Sequence, residues 1–192
     1  MPFDPQNTIA QFLDATAAKQ PAPGGGSVTA LVGALAAAIG EMVLNYSVGK
    51  KGLEAHQEDL KSAVAELHRA RQVMVELMVE DQVAYQELVA AKKLAADHPT
   101  RPTQYAAALG ASIATPQLIA VTAAAILSLT DRLVDQVNFY LLSDLAVCAE
   151  LAMAVVRCGI YNVKVNRSEI KDAAELQKID EIRGFAFLPL SQ

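Results

Sequence analysis

The sequence predicts an all-α protein, a bundle of about six helices that forms one domain over residues 1–192. Apolar residues recur at the three- and four-residue spacing of a helix, and no convincing alternating stretch predicts a strand. Glycine and proline number only ten and eight, so few breaks divide the helices. One long segment also keeps a seven-residue apolar period, which is typical of packed helices.

The first two helices flank a turn rich in proline and glycine. Apolar residues at helical spacing predict a helix from about Thr8 to Lys19, which the stretch from Pro21 to Gly26 ends. Ser27 is predicted as the N-cap of a second helix that ends near Gly49. Small residues inside this second helix would let neighbouring helix axes approach closely.

The third helix is the most regular segment of the chain. Residues Leu53 to Leu94 contain no proline or glycine, so an uninterrupted helix is expected. Its apolar residues repeat every seven positions, and one position of the series holds an acid instead. The series runs Leu53, Leu60, Leu67, Met74, Asp81 and Leu88.

The remaining helices are separated by short breaks. A fourth is predicted from about Thr103 to Leu133, bent at Pro116. The segment from Val134 to Leu142 fits no single element, and a fifth helix follows from about Ser143 to Val163. The last predicted elements are a polar turn at Asn166, Arg167 and Ser168, a sixth helix from about Lys171 to Ile182 and an apolar tail from Gly184 to Leu190.

The composition indicates more burial than a monomer core needs, with 53% apolar and 19% charged residues. The longest weakly polar run, Val28 to Leu44, is short and alanine-rich for a bilayer span, so we expect a homodimer interface rather than a membrane. A net charge of −5 without a basic block argues against nucleic acid as a partner. The N-terminus has no secretory pattern, so a cytoplasmic protein is expected.

Two aspartates stand among uncharged helical neighbours. The residues three and four positions from Asp81, and likewise from Asp144, carry no charge. Because an unpaired carboxylate is costly to bury, each aspartate is expected to be paired, protonated or facing a ligand. Asp81 could instead form an interhelical salt bridge or a helix cap, and Asp144 could be a first-turn acid favoured by the helix dipole.

Two further segments are candidates for ligand contacts. The glycine run from Gly24 to Ser27 precedes a helix, where backbone N–H groups can meet a carboxylate or a polar ring edge, although a flexible loop uses the same residues. Lys50 and Lys51 could contact an acidic ligand or only complement the helix dipole. The three histidines lack metal-ligand spacing, so no metal is expected.

These segments together resemble the formimidoyltetrahydrofolate cyclodeaminase/methenyltetrahydrofolate cyclohydrolase family. The resemblance covers about residues 5 to 175 and is most specific at the glycine run. The similar segments are, in order, Pro21-Ala22-Pro23-Gly24-Gly25-Gly26-Ser27, Asn45, Gly49-Lys50-Lys51, Glu80-Asp81 with Ala84-Tyr85, Ser143-Asp144, and Asn162-Val163 with Val165-Asn166 and Asp172.

The resemblance implies a homodimer that takes a tetrahydrofolate derivative as its substrate and holds no tightly bound cofactor. Family reactions either close 5-formimidoyltetrahydrofolate to the methenyl compound with loss of ammonia, or add water to 5,10-methenyltetrahydrofolate. Asp81 and Asp144 would act at the one-carbon unit, and the glycine loop with Lys50 and Lys51 would receive the glutamate tail. The asparagines that would contact the pterin ring or line its cleft are Asn45, Asn138, Asn162 and Asn166.

One segment departs from the family pattern. Where the family commonly has Gly-Asn-x-Asn, this chain has Val137-Asn138-Phe139-Tyr140 and keeps only the first asparagine. Four interpretations therefore stay open. A cyclohydrolase is preferred because no transferase domain accompanies this chain. The alternatives are a cyclodeaminase, a protein that binds folate or another small heterocycle without turnover, and a purely structural helical dimer.

Overall fold

The structure is a computed structural model that describes residues 2–167, and within this range it contains five α-helices and no strand. The helices are α1 (Ile9–Ala17), α2 (Gly25–Asn45), α3 (Gln57–Lys93), α4 (Arg101–Leu133) and α5 (Leu142–Arg167). The all-helical prediction is therefore confirmed. The predicted sixth helix, Lys171 to Ile182, and the tail from Gly184 to Leu190 lie outside the described residues.

The four long helices form a bundle with α2 and α4 at opposite corners, because each of these two packs against both α3 and α5. Their inward faces supply the core. Its largest fully buried apolar side chains include Leu44, Leu60, Leu67, Met74, Ile119 and Ile126. Helix α1 follows its N-cap Thr8, which forms a capping box with Gln11, and it buries Phe12 edge-on against Phe3.

A ladder of glycines joins α2 to α3. Glycines seven residues apart on α2 each face one rung of the seven-residue series on α3, in antiparallel order. The three contacts are Gly26 with Asp81, Gly33 with Met74, and Gly40 with Leu67. A Cβ atom at Gly33 would lie 2.7 Å from the Met74 sulfur, so the missing side chains are what admit the α3 residues. The same geometry places the acid of the series at the N-terminal end of α2.

Three predicted boundaries were wrong. Gly24, not Ser27, is the N-cap of α2; the Ser27 side chain is turned to a residue of α3 and is not available for capping. The helix ends at Asn45, before Gly49, whose φ of 73° lies in the left-handed region. Asn166 belongs to α5 and not to a turn. Its side-chain amide donates to the Ser112 carbonyl of α4 and links the two helices.

The helices are also more apolar than the sequence analysis predicted when it judged one apolar run too short for a membrane span. By length and composition alone, three helical stretches, 25–45, 101–136 and 139–166, could span a membrane. This corrects the expectation that the run ending at Leu44 is too short. About half of the first two apolar windows is buried inside the bundle, but only 28% of the third. Helix α5 therefore carries an apolar surface that the rest of residues 2–167 leaves largely uncovered.

Candidate active site

Asp81 lies at the N-terminus of α2 and binds the helix there. The Ser27 hydroxyl donates to its Oδ2 at 2.8 Å, and the Ser27 backbone N–H also donates to the carboxylate. A Cβ atom at Gly26 would overlap the carboxylate, so only glycine admits the acid so close to the helix end. Of the roles considered for Asp81, a helix cap is present, and within residues 2–167 it has no ion-pair partner.

Burial shapes the acidity of this carboxyl group. Loss of hydration raises the pKa of Asp81 above its ordinary 3.8, and the two hydrogen bonds from Ser27 oppose this effect without cancelling it. The group is thus a better proton acceptor than an exposed aspartate. A carboxyl with a raised pKa at a glycine-lined helix end can take a proton from a bound nucleophile and return it.

A series of hydrogen bonds that begins at Asn162 of α5 completes this end of the bundle. The Asn162 side-chain oxygen lies 3.3 Å from the position a Cβ atom would take at Gly25, and its amide donates to the Thr29 hydroxyl at 3.5 Å. That hydroxyl donates in turn to the Gly25 carbonyl at 2.6 Å. The sequence interpretation missed Thr29; its only signal there is its place one turn after Gly25. Gly25, Ser27, Thr29, Asp81 and Asn162 thus form one group, which we call the glycine-end cluster.

A second group of predicted residues lies at the other end of α2. The Lys50 ammonium stands 5.6 Å from the centre of the exposed Tyr140 ring. Asn138 is buried; its N–H donates to the Ser47 hydroxyl, and its side chain accepts from the Tyr140 N–H, so it supports the backbone there. Asn45 and Lys51 are exposed at the same end.

Asp144 is half-buried one turn before Cys148, whose sulfur lies beside Gly40 of α2. No hydrogen bond or ion pair engages Asp144 within residues 2–167.

The two groups are far apart within one protomer. Asn162 lies beside Gly25 at the Asp81 end, and Asp144 stands eighteen residues earlier on α5, so the two acids lie about 27 Å apart along the bundle at 1.5 Å per residue. A single protomer therefore does not hold one carbon atom between Asp81 and Asp144, contrary to expectation. Asn166 is also engaged elsewhere, at the Ser112 carbonyl.

The side chains of residues 2–167 contain no group of three His, Cys, Asp or Glu able to hold a metal ion. The groups that the described residues place at the glycine end are a carboxyl group, hydroxyls, amides and backbone N–H groups. Such an arrangement suits proton transfer and the binding of a polar heterocycle.

Comparison with known proteins points to folate chemistry. The sequence model described as formiminotransferase-cyclodeaminase matches residues 8–183. A methenyltetrahydrofolate cyclohydrolase from Methylorubrum extorquens is 28% identical over 92% of this chain and 88% of that protein. A formimidoyltransferase-cyclodeaminase from Gallus gallus is 30% identical over 85% of this chain; the chain spans only 31% of that longer protein.

One solved structure superposes over almost the whole chain. It is a formiminotetrahydrofolate cyclodeaminase from Thermotoga maritima, with a TM-score of 0.83 and 28% sequence identity. The match covers 94% of this chain and 92% of that one.

Proposed function

The chain belongs to the formiminotransferase-cyclodeaminase family, and from that membership we propose that it is a methenyltetrahydrofolate cyclohydrolase. It would add water to 5,10-methenyltetrahydrofolate and give 10-formyltetrahydrofolate. The observation that carries this proposal is the Asp81 carboxyl, which is desolvated at the glycine end of α2 and which, within residues 2–167, only neutral donors bind. The likeness to a cyclohydrolase over 88% of that protein's length supports the choice of reaction.

In the proposed reaction, Asp81 accepts a proton from the attacking water and later returns it to the substrate. The methenyl carbon is cationic and shares its charge with two nitrogens, so a nearby carboxylate stabilises it. As the water oxygen bonds to this carbon, Asp81 accepts a proton. When the bond from the carbon to N5 breaks, Asp81 returns the proton to N5, and the hydroxyl proton is lost to solvent as the formyl C=O forms. The carbon already belongs to the substrate, so we expect no tightly bound cofactor.

Asn162 and the glycine N–H groups would bind the polar edge of the pterin. Asn162 is the better placed of the predicted asparagines, since it already lies against Gly25.

A cyclodeaminase is the second candidate, favoured by the structural likeness to the Thermotoga maritima enzyme. In that reaction N10 attacks the formimidoyl carbon, and the proton that N10 loses must reach the departing ammonia. Asp81 could carry it, so the same residue serves both reactions.

The test measures both reactions spectroscopically with one matched pair of variants. Loss of the near-ultraviolet absorbance of methenyltetrahydrofolate above the spontaneous rate indicates the cyclohydrolase; gain of that absorbance with release of ammonia from formimidoyltetrahydrofolate indicates the cyclodeaminase. Asp81→Asn should lower turnover by at least about 100-fold. Glu41→Gln is the control, because Glu41 also lies between α2 and α3 but is paired with Arg71.

Full activity in Asp81→Asn would remove Asp81 from the mechanism. If wild-type protein turns over neither compound while tetrahydrofolate raises its melting temperature, the chain binds folate without acting on it.

A further inference from the structure

The buried hydroxyl of Thr29 has its single proton committed to the backbone. Thr29 is 6% exposed, and its hydroxyl donates to the Gly25 carbonyl, one turn earlier, at 2.6 Å. A hydroxyl carries one proton and two lone pairs, so a second partner can be bound only through a lone pair. That partner is Asn162, whose side-chain nitrogen lies 3.5 Å from the hydroxyl oxygen. Thr29 therefore acts toward Asn162 as an acceptor.

This hydroxyl decides which way the Asn162 amide points. The amide has a donor end, NH2, and an acceptor end, the oxygen, and a half-turn of the group exchanges them. In the observed orientation two hydrogen bonds form, from Thr29 to Gly25 and from Asn162 to Thr29. After a half-turn the amide oxygen would face the Thr29 oxygen, and the hydroxyl would have to leave the Gly25 carbonyl to bond to it. One hydrogen bond would then replace two, so the observed orientation is favoured.

The acceptor end of the amide is thereby directed to the glycine end of α2. The Asn162 oxygen lies 3.3 Å from the position of a Cβ atom at Gly25, which is itself exposed. Within residues 2–167 no donor is bonded to this oxygen. The next glycine, Gly26, faces the Asp81 carboxylate. A ligand at this place must offer an N–H or O–H group to Asn162, because a carbonyl oxygen would be repelled.

We infer that Thr29 is a positioning residue that holds the Asn162 amide with its oxygen toward the ligand, so that Asn162 accepts an N–H group of the reduced pterin. The pterin carries such groups at N3, at N8 and at its 2-amino substituent, whereas its C4 carbonyl carries none. Thr29 thus selects the edge of the ring that faces α5 without touching the ring. The identity of the ligand rests on the proposed function; the orientation of the amide does not.

Proton NMR of the ligand-free protein tests the orientation. In the wild type, the Asn162 side-chain NH2 protons, identified by their absence in Asn162→Ala, should show nuclear Overhauser contacts to the Thr29 methyl group. In Thr29→Val the acceptor is lost, and contacts from the same protons to the Gly25 α-protons should appear as the amide turns. Contacts to Gly25 and none to Thr29 in the wild type would overturn the inference, whether or not the protein acts on folate.

Binding and turnover test the consequence for the ligand. Thr29→Val keeps the shape of the side chain. It should raise the dissociation constant of tetrahydrofolate and the KM of methenyltetrahydrofolate about 3- to 10-fold, the effect of one lost neutral hydrogen bond. The kcat should stay within about twofold, since the contact is equal in the ground and transition states. Thr29→Ser keeps the hydroxyl and should restore the wild-type constants.

A second buried threonine provides the control. Thr130 also donates to a carbonyl of its own helix, α4, so Thr130→Val removes the same kind of bond and should leave both constants unchanged. Asn162→Ala should weaken binding at least as much as Thr29→Val, and the double variant should lose nothing further, because Thr29 acts through Asn162. A Thr29→Ser variant as weak as Thr29→Val, or additive losses in the double variant, would overturn the positioning role.

Asn162→Asp separates an acceptor from a donor, because a carboxylate has no N–H. The dissociation constant of tetrahydrofolate should rise less in Asn162→Asp than in Asn162→Ala, and equal losses would overturn the acceptor role. A wild type that binds tetrahydrofolate but turns over neither folate would defeat the proposed function alone, and the binding constants would still decide this inference. A wild type that binds no tetrahydrofolate would overturn the assignment of the ligand, and the NMR contacts would still decide the amide.

Discussion

At the scale of single residues, two carboxylates between α2 and α3 differ in their partners. Asp81 accepts hydrogen bonds from Ser27 and has no cation beside it in residues 2–167. Glu41 accepts from Arg71 at 2.9 Å and forms a second contact with His68 at 3.1 Å. Burial opposes ionisation of Glu41, but these partners outweigh it and lower its pKa, whereas the pKa of Asp81 is raised. The folded protein therefore favours the ionised form of Glu41 and disfavours that of Asp81.

Asp81→Asn should leave the free energy of unfolding at pH 7 unchanged or raise it. Because the folded-state pKa of Asp81 lies above 3.8, its contribution to stability is present below that value and is lost as pH rises through the folded-state pKa. The asparagine cannot ionise, and it still offers an oxygen to Ser27. Urea unfolding of both proteins from pH 3 to pH 7 should show the variant gaining on the wild type as pH rises. A variant that loses ground instead would show that the ionised cap stabilises the fold.

Glu41→Gln should show the opposite pH dependence. The lowered pKa of Glu41 means that its stabilisation is present above 4.5 and is lost as pH falls through the folded-state pKa. At pH 7 the variant should lose about 1 kcal/mol of unfolding free energy, since the pair with Arg71 is partly exposed. The same urea series measures it, and a loss that persists below pH 3 would point to packing rather than charge.

At the scale of elements, the glycine ladder sets how closely α2 and α3 approach. Gly40→Ala would put a methyl group 2.9 Å from the Cys148 sulfur and 3.0 Å from a Leu67 methyl, so we expect a loss of about 1 to 3 kcal/mol from overpacking. Gly110→Ala is the matched control, because no atom lies within 4 Å of its added Cβ. In the middle of α4 it should stabilise by about 0.5 to 1 kcal/mol. Equal effects of the two variants in urea unfolding would contradict the ladder.

The first contact of the glycine ladder, Gly26 with Asp81, positions a residue of the candidate site and not a core side chain. Gly26→Ala must displace the Asp81 carboxylate, whose overlap with the new methyl group is severe. We expect turnover to fall about as far as in Asp81→Asn, at least about 100-fold, while the far-ultraviolet circular dichroism stays helical. Unchanged turnover would show that the acid does not need its position at the helix end.

At the scale of the whole molecule, activity should depend on assembly. The family resemblance implies a homodimer, and one protomer holds Asp81 and Asp144 at opposite ends of α2, so dilution below the dimer dissociation constant should lower the turnover per chain. Activity measured across a dilution series, with mass measured on the same samples, tests this. A turnover per chain that stays constant through dissociation would mean that one protomer is sufficient.

Much of the architecture follows from the sequence alone. The seven-residue series from Leu53 to Leu88 predicted both the long third helix and the anomaly of Asp81, because helical periodicity is local and survives without knowledge of the neighbours. The N-cap of α2 was missed since Gly24 has no side chain to signal the cap, and Ser27 bonds to a residue 54 positions away.

What only the tertiary structure decided is which predicted residues meet. Sequence order could place Asp81, Asp144 and Asn162 on their helices. It could not fix the antiparallel packing that puts Asp81 and Asn162 at one end of α2 and Asp144 near the other. That register depends on which side chains fill the spaces left by glycines, a property of two surfaces at once. The local sequence therefore determines which residues lie on each helix, whereas the packing of the helices determines the distances between those residues.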